Sequence, residues 1–260
     1  MKQIPNIVTL LNLVFGFIAI ILILQPGETI VTTSDEGNFI AQLPERIWWG
    51  SVCIGIAAII DFFDGFVARL MKASSPLGAQ LDSLADVVSF GVAPGLILYQ
   101  LLRISYIQEE SGLDTSWIAF LPVVLFPMAG AYRLARFNID TEQSYGFKGV
   151  PIPAAGLVVA SLPLILWFDD FGFTQILTNK WVLYAITILL SWLMVSRLPM
   201  LALKFSNYSF KDNAARYILV IIAVVAAFAG WIAVPVVFIL YVILSVFSAK
   251  KVVIAPENSL

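Results

Sequence analysis

Apolar side chains run on for the length of a membrane span at several places in this chain, and polar residues gather in the short stretches between. A hydrocarbon core about 30 Å thick takes roughly 20 apolar residues of helix. Runs of that kind lie near 7–24, 47–72, 77–103, 117–138, 152–168, 181–200, 215–230 and 232–249, the last two parted only by Gly230 and Trp231. The pattern predicts an all-α membrane protein, a polytopic bundle of about eight transmembrane helices.

Composition agrees: of 260 residues, 60% are apolar and 12% charged, against roughly half and a quarter in soluble domains. The first run follows Lys2 as a signal peptide would, but Gln25-Pro26-Gly27 is a poor cleavage site, so a retained helix is expected. Pro94, Pro127, Pro163, Pro199 and Pro235 fall in or near spans and read as kinks that widen a cavity. Trp48, Trp49, Trp117, Trp167 and Trp181 stand at one set of span ends, as interfacial anchors do.

Alternating the eight spans sorts the cations. Lys2, Arg69, Lys72, Arg133, Arg136, Lys148, Arg197, Lys204, Lys211, Arg216, Lys250 and Lys251 fall on one side, and Arg46, Arg103 and Lys180 on the other. Cytoplasmic loops hold the excess of Lys and Arg, so both termini are expected in the cytoplasm. A net charge of −2 with no basic block gives nucleic acid nothing to bind. The lone Cys53 and the absence of histidine exclude an intrachain disulfide, a structural zinc site, and Ser-His-Asp or HExxH chemistry. Acid–base work then falls to carboxylates, Lys, Tyr or water.

One stretch breaks the apolar pattern with acids. Residues 61–86 carry Asp61-Phe-Phe-Asp64-Gly65-Phe-Val-Ala68-Arg69 and then Gly78-Ala-Gln-Leu-Asp82-Ser-Leu-Ala-Asp86. An aspartate at a helix centre costs about 2.5–3.5 kcal/mol on insertion scales, so four in two neighbouring helices call for a counter-ion. Asp61, Asp64, Gly65 and Ala68 follow i, i+3, i+4, i+7, and Gly78, Asp82 and Asp86 follow i, i+4, i+8, so each helix presents its acids on one face. An antiparallel hairpin sets the two faces at one depth, open to the cytoplasm. All-oxygen ligands suit Mg²⁺ or Mn²⁺, with Ca²⁺ also accommodated. Two such ions suit in-line displacement at phosphorus. Gly65 and Gly78 allow close approach of a ligand, Arg69 can clamp a phosphate, and Ser75 stands at a helix N-terminus, a good anion site. A buried charge network or an ion-coupled transporter site are the competing readings; one arginine against four aspartates counts against the first, and the lack of an internal repeat against the second.

The spacing Asp-x2-Asp-Gly-x2-Ala-Arg-x8-Gly-x3-Asp-x3-Asp resembles the signature of the CDP-alcohol phosphatidyltransferases, with all eight fixed positions matched. The resemblance implies metal ligation by Asp61, Asp64, Asp82 and Asp86, with Asp86 also the general base. It further implies contacts to a CDP-lipid from Gly65, Ala68, Arg69 and Gly78, with Ser75 an addition. Asn6 and Thr9 are read as lining the nucleotide pocket or capping a helix end.

Asp82 to Pro94, Tyr132-Arg133-Leu-Ala-Arg136-Phe-Asn138 and Gly149-Val-Pro151-Ile-Pro153 resemble the branch of that family that takes serine. The resemblance implies transfer of a phosphatidyl group from CDP-diacylglycerol to L-serine, in a homodimer within a prokaryotic inner membrane, with the active site on the cytoplasmic side. Arg133 and Arg136 are the expected carboxylate partners of serine, since a guanidinium fork binds carboxylate at two points. Asn138 is a helix-end residue first and a serine contact second. Other acceptors (glycerol 3-phosphate or inositol) and an ether-linked donor remain alternatives. Six spans are usual in the family, so residues 1–203 are expected to form the core and 204–260 a two-helix extension.

Overall fold

The computed structural model describes residues 4–24, 31–33, 39–41, 46–70, 75–109, 114–139, 147–168, 172–201 and 227–253, with only the backbone of 4, 31–33, 39–41, 66–69, 147, 227–229 and 248–253. Helix dominates. The elements are α1 (Ile4–Leu24), strands β1 (Val31–Thr33) and β2 (Phe39–Ala41), α2 (Ile47–Leu70), α3 (Pro76–Asp86), a π-helical segment (Val87–Val92) and α4 (Ala93–Ile107). A 3₁₀ segment (Trp117–Val124) then leads into α5 (Leu125–Ile139), followed by β3 (Phe147–Lys148), α6 (Ile152–Phe168), the short α7 (Thr174–Leu177), α8 (Lys180–Val195) and β4 (Pro199–Met200). After a 3₁₀ segment at Ala227–Ile232, broken at Gly230, α9 (Ala233–Val253) closes the described chain.

Among the described residues, five helical stretches are long and apolar enough to cross a membrane: Pro5–Leu24, Ile47–Gly65, Pro76–Ile107, Trp117–Ile139 and Gly230–Phe247. Two shorter apolar helices, Ile152–Phe168 and Lys180–Val195, match the fifth and sixth expected spans. The expected seventh span, 215–230, lies almost wholly outside the described residues, as does the 203/204 boundary. The third span departs from the expected single α-helix. Pro94 has no N–H to offer the carbonyl of Phe90 four residues back, and the ladder here shifts to an i→i+5 pattern, seen in the Ala93 N–H bonded to the Val88 carbonyl.

Two ribbons of a few residues were not expected: β1 pairs antiparallel with β2, and β3 with β4 through Phe147↔Met200 and Lys148↔Pro199. The second ties the chain before α6 to the chain after α8.

Side chains that bridge the elements define two ends of the bundle. At one, Gln100 Nε2 donates to the Ile23 carbonyl (2.9 Å), Lys180 pairs with Glu109, and Trp48 stacks on Trp49 and tilts against Trp167. At the other, α1 meets α2 through Thr9 and Asp64, and α3 meets α5 through Ser83 and Asn138. Successive long elements therefore alternate in direction. The core is thickest around α4, where Ile97, Leu98, Leu101 and Leu102 are fully buried with Phe90, Phe126 and Ile152. Ile7, Phe17, Ile59, Trp117, Trp181 and Trp192 are more than half exposed, the arrangement of a bundle whose outer surface meets lipid.

Two glycines set how closely helices approach the π segment. A Cβ on Gly16 of α1 would lie 2.1 Å from Ser89 Oγ, and one on Gly156 of α6 would lie 2.8 Å from the Phe90 carbonyl oxygen. Backbone packs against backbone there, which seats Asp86, at the end of α3, against α1.

Candidate functional site

Asp61 and Asp64 stand three residues apart near the end of α2, and Asp82 and Asp86 four apart along α3, so each pair shares a helix face. Ser75 starts α3 by accepting the Gly78 N–H on its side chain (3.0 Å), with Pro76 in the first turn where a missing N–H costs nothing. Carboxylate oxygens of Asp61, Asp64 and Asp82 lie within 4.8 Å of one another. Asp86 lies behind them with its carboxyl against that of Asp61. Asp64 and Asp86 are buried, while Asp61 and Asp82 are partly open.

Four carboxyls so close repel one another unless a cation sits among them. An oxygen-only donor set at this spacing fits a hard divalent ion. Two side chains of α1 hold the carboxylates in place: the Thr9 hydroxyl donates to Asp64 Oδ2 (2.8 Å), with the Pro5 carbonyl a second acceptor at 3.1 Å, and Asn12 Nδ2 donates to Asp86 Oδ1 (3.4 Å). Such outer partners orient metal-binding side chains. Thr9 lies more than a turn inside α1, so it does not cap the helix end, and its hydroxyl meets the Asp64 carboxylate.

Of the expected CDP-lipid residues, Gly65 has nothing within 4 Å of where a Cβ would be, so space for a ligand opens beside Asp64. Gly78 faces Asn6, whose Oδ1 would lie 3.1 Å from a Cβ there. Ser75 serves as the cap of α3. The side chains of Ala68 and Arg69 lie outside the described residues.

The expected acceptor residues divide. Arg133 is buried on α5 close enough to Asp86 for the two charges to interact, with its guanidinium 5.6 Å from the centre of the Phe137 ring. Arg136 instead donates to the carbonyls of Val195 (2.9 Å), Ser196 (3.1 Å) and Lys148 (3.4 Å), tying α5 to the end of α8 and to the β3–β4 ribbon. Asn138 Nδ2 donates to Ser83 Oγ (2.9 Å) and so holds the end of α5 beside Asp82. Asn12 is the residue that sequence reasoning passed over. Its signal was there: Asn6, Thr9 and Asn12 are the polar side chains of an otherwise apolar helix, spaced at i, i+3 and i+6.

Residues 2–195 match the family model described as CDP-alcohol phosphatidyltransferase. A protein of Helicobacter pylori named CDP-diacylglycerol–serine O-phosphatidyltransferase is 41% identical over 167 residues, covering 63% of each chain. Proteins of the same name from Methanocaldococcus jannaschii and Bacillus subtilis are 38% and 31% identical, over 55% of this chain and 59% and 83% of theirs. The chain thus spans under two thirds of the length of the H. pylori relative.

Proposed function

This chain belongs to the CDP-alcohol phosphatidyltransferase family, and from that premise we propose that it transfers the phosphatidyl group of CDP-diacylglycerol to L-serine, giving phosphatidylserine and CMP. The observation that carries the reading is the meeting of Asp61, Asp64 and Asp82 within 4.8 Å, with Asp86 beside them and flanked by Asn12 and Arg133. The names of the similar proteins support serine as acceptor.

Asp61, Asp64, Asp82 and Asp86 would hold two divalent cations, Mg²⁺ or Mn²⁺, which when bound supply Lewis-acid stabilisation of charge on the diphosphate. The open space at Gly65 admits the cytidine diphosphate, and Arg69 and Ser75 bind its phosphates. Arg133 receives the serine carboxylate, with Arg136 and Asn138 fixing the end of α5 that carries it. Asp86 removes the proton of the serine hydroxyl, the hydroxyl oxygen forms a bond to the phosphatidyl phosphorus, and the bond from that phosphorus to CMP breaks. A positioned base of this kind contributes about 10²–10⁴-fold.

The site end of the bundle faces the cytoplasm in this reading, in keeping with the twelve cations that alternation places on that side. Residues 1–203 form the catalytic core of a homodimer in a prokaryotic inner membrane, and 204–260 an extension. Purified protein given CDP-diacylglycerol, Mn²⁺ and, in turn, L-serine, glycerol 3-phosphate and inositol tests the assignment. Phosphatidylserine formed with serine alone is expected; product with another alcohol in its place would overturn the acceptor, and no CMP with any would overturn the activity.

A further inference from the structure

Among the described residues, two buried side-chain atoms have no hydrogen-bond partner, Asn12 Oδ1 and Arg133 Nε. More than nine in ten buried polar groups are paired in folded proteins, so an unpaired one asks for a reason. Here both belong to side chains that flank the same carboxylate: Asn12 bonds Asp86 directly, and Arg133 interacts with it electrostatically. Asn12 is 0% exposed and Arg133 7%. Neither unpaired atom is reached by bulk water.

The orientation of the Asn12 amide follows from its partner. An ionised carboxylate only accepts hydrogen bonds, so the NH₂ group faces Asp86 and Oδ1 is left as a bare acceptor. The residue is also held in place. The Ser89 hydroxyl donates to the Asn12 backbone carbonyl (3.1 Å), and Gly16 one turn on lets α1 sit directly against Ser89. Within electrostatic reach of the same carboxylate stands a buried cation with a spare donor. The surroundings of Asp86 therefore offer both an unpaired acceptor and an unpaired positive donor.

We infer that Asn12 is the ammonium-binding residue of the acceptor site: one ammonium N–H of L-serine bonds Asn12 Oδ1, the carboxylate takes the Arg133 guanidinium through Nε, and the hydroxyl faces Asp86. This rests on the proposed transfer to serine and adds the origin of its selectivity. A molecule with hydroxyl, ammonium and carboxylate on adjacent carbons satisfies both orphan atoms at once. Glycerol 3-phosphate and inositol carry no ammonium, and ethanolamine no anion, so each leaves a buried group unpaired. Sites that leave buried polar groups unpaired discriminate strongly against the deficient ligand.

Two truncated acceptors divide the roles: 3-hydroxypropionate, which is serine without its ammonium, and ethanolamine, which is serine without its carboxylate. For the full-length protein with CDP-diacylglycerol, kcat/KM for serine is expected to exceed that for either analogue by tenfold or more. In Asn12→Ala the ratio of serine to 3-hydroxypropionate should fall toward one while the ratio of serine to ethanolamine holds; Arg133→Gln should do the reverse. Loss of the bond from Asn12 to Asp86 slows all acceptors alike and leaves the ratios unmoved, so the ratios separate binding from positioning. Asn12→Ser repeats the test should the alanine variant not fold, and an unchanged KM for CDP-diacylglycerol reports an intact site. A serine to 3-hydroxypropionate ratio that survives Asn12→Ala, or Asn12→Ser where the alanine variant does not fold, or a wild-type protein that does not discriminate the two, would overturn the inference. No transfer to any of the three by the wild type would instead remove the function reading, and the inference with it.

Discussion

Thr9 holds Asp64 by one hydrogen bond at 2.8 Å, and that bond separates two kinds of contribution at the level of single side chains. Thr9→Val keeps the shape and removes the donor. Outer partners of metal ligands are typically worth about 10–100-fold in ion affinity, so the Mn²⁺ concentration for half-maximal CMP release should rise by about that factor, with little change in the rate at saturating ion. Asp86→Asn should differ: the rate at saturating ion and serine falls by about 10²–10⁴-fold, read in the same assay, while CDP-lipid binding persists. The aspartates were legible in the sequence because four acids in apolar helices demand an explanation on energetic grounds alone. Asn12 was harder to see, since its spacing with Asn6 and Thr9 marks a polar face of α1 but carries no signature of the acid it meets on another helix. The partners of Arg136 could not be read at all: they are backbone carbonyls, which leave no mark on residue identity.

Helices position these side chains through a few close approaches. The tightest joins α1 to the π segment, where a Cβ on Gly16 would meet Ser89 Oγ at 2.1 Å and the Ser89 backbone at 2.8 Å. Gly16→Ala should therefore push α1 away, costing about 1–3 kcal/mol as overpacking does, and draw Asn12 back from Asp86. Lower thermal stability in detergent and lower CMP release are both expected. Ser89→Gly in the same chain should recover only part of either, because removing the side chain leaves the backbone of residue 89 in the way. The spans themselves were legible because length and apolarity decide them. The π segment was not: it displaces the helical phase by one residue inside a run that is apolar all round, so periodicity holds no trace of it. Strands of two or three residues, such as β3 and β4, likewise fall below the length at which alternation can be recognised.

Across the whole molecule, alternating helices bring the acids of α2 and α3, the amide of α1 and the arginine of α5 to one end, while tryptophans and the Lys180–Glu109 pair mark the other. The orientation proposed for that bundle can be checked with cysteines placed in a Cys53→Ser background. Ser144→Cys should react with a membrane-impermeant maleimide only from the cytoplasmic face, and Gln175→Cys only from the other; the opposite pattern would invert the topology. The central claim is that four aspartates from two helices form one divalent-ion site for phosphatidyl transfer. Its most direct test is CMP release from CDP-diacylglycerol and L-serine by purified protein stripped with a chelator and then titrated with Mg²⁺ or Mn²⁺. The account predicts no release without the ion, recovery on its return, and no recovery in Asp61→Asn or Asp82→Asn; full CMP release from the stripped protein, or from either variant, would contradict it.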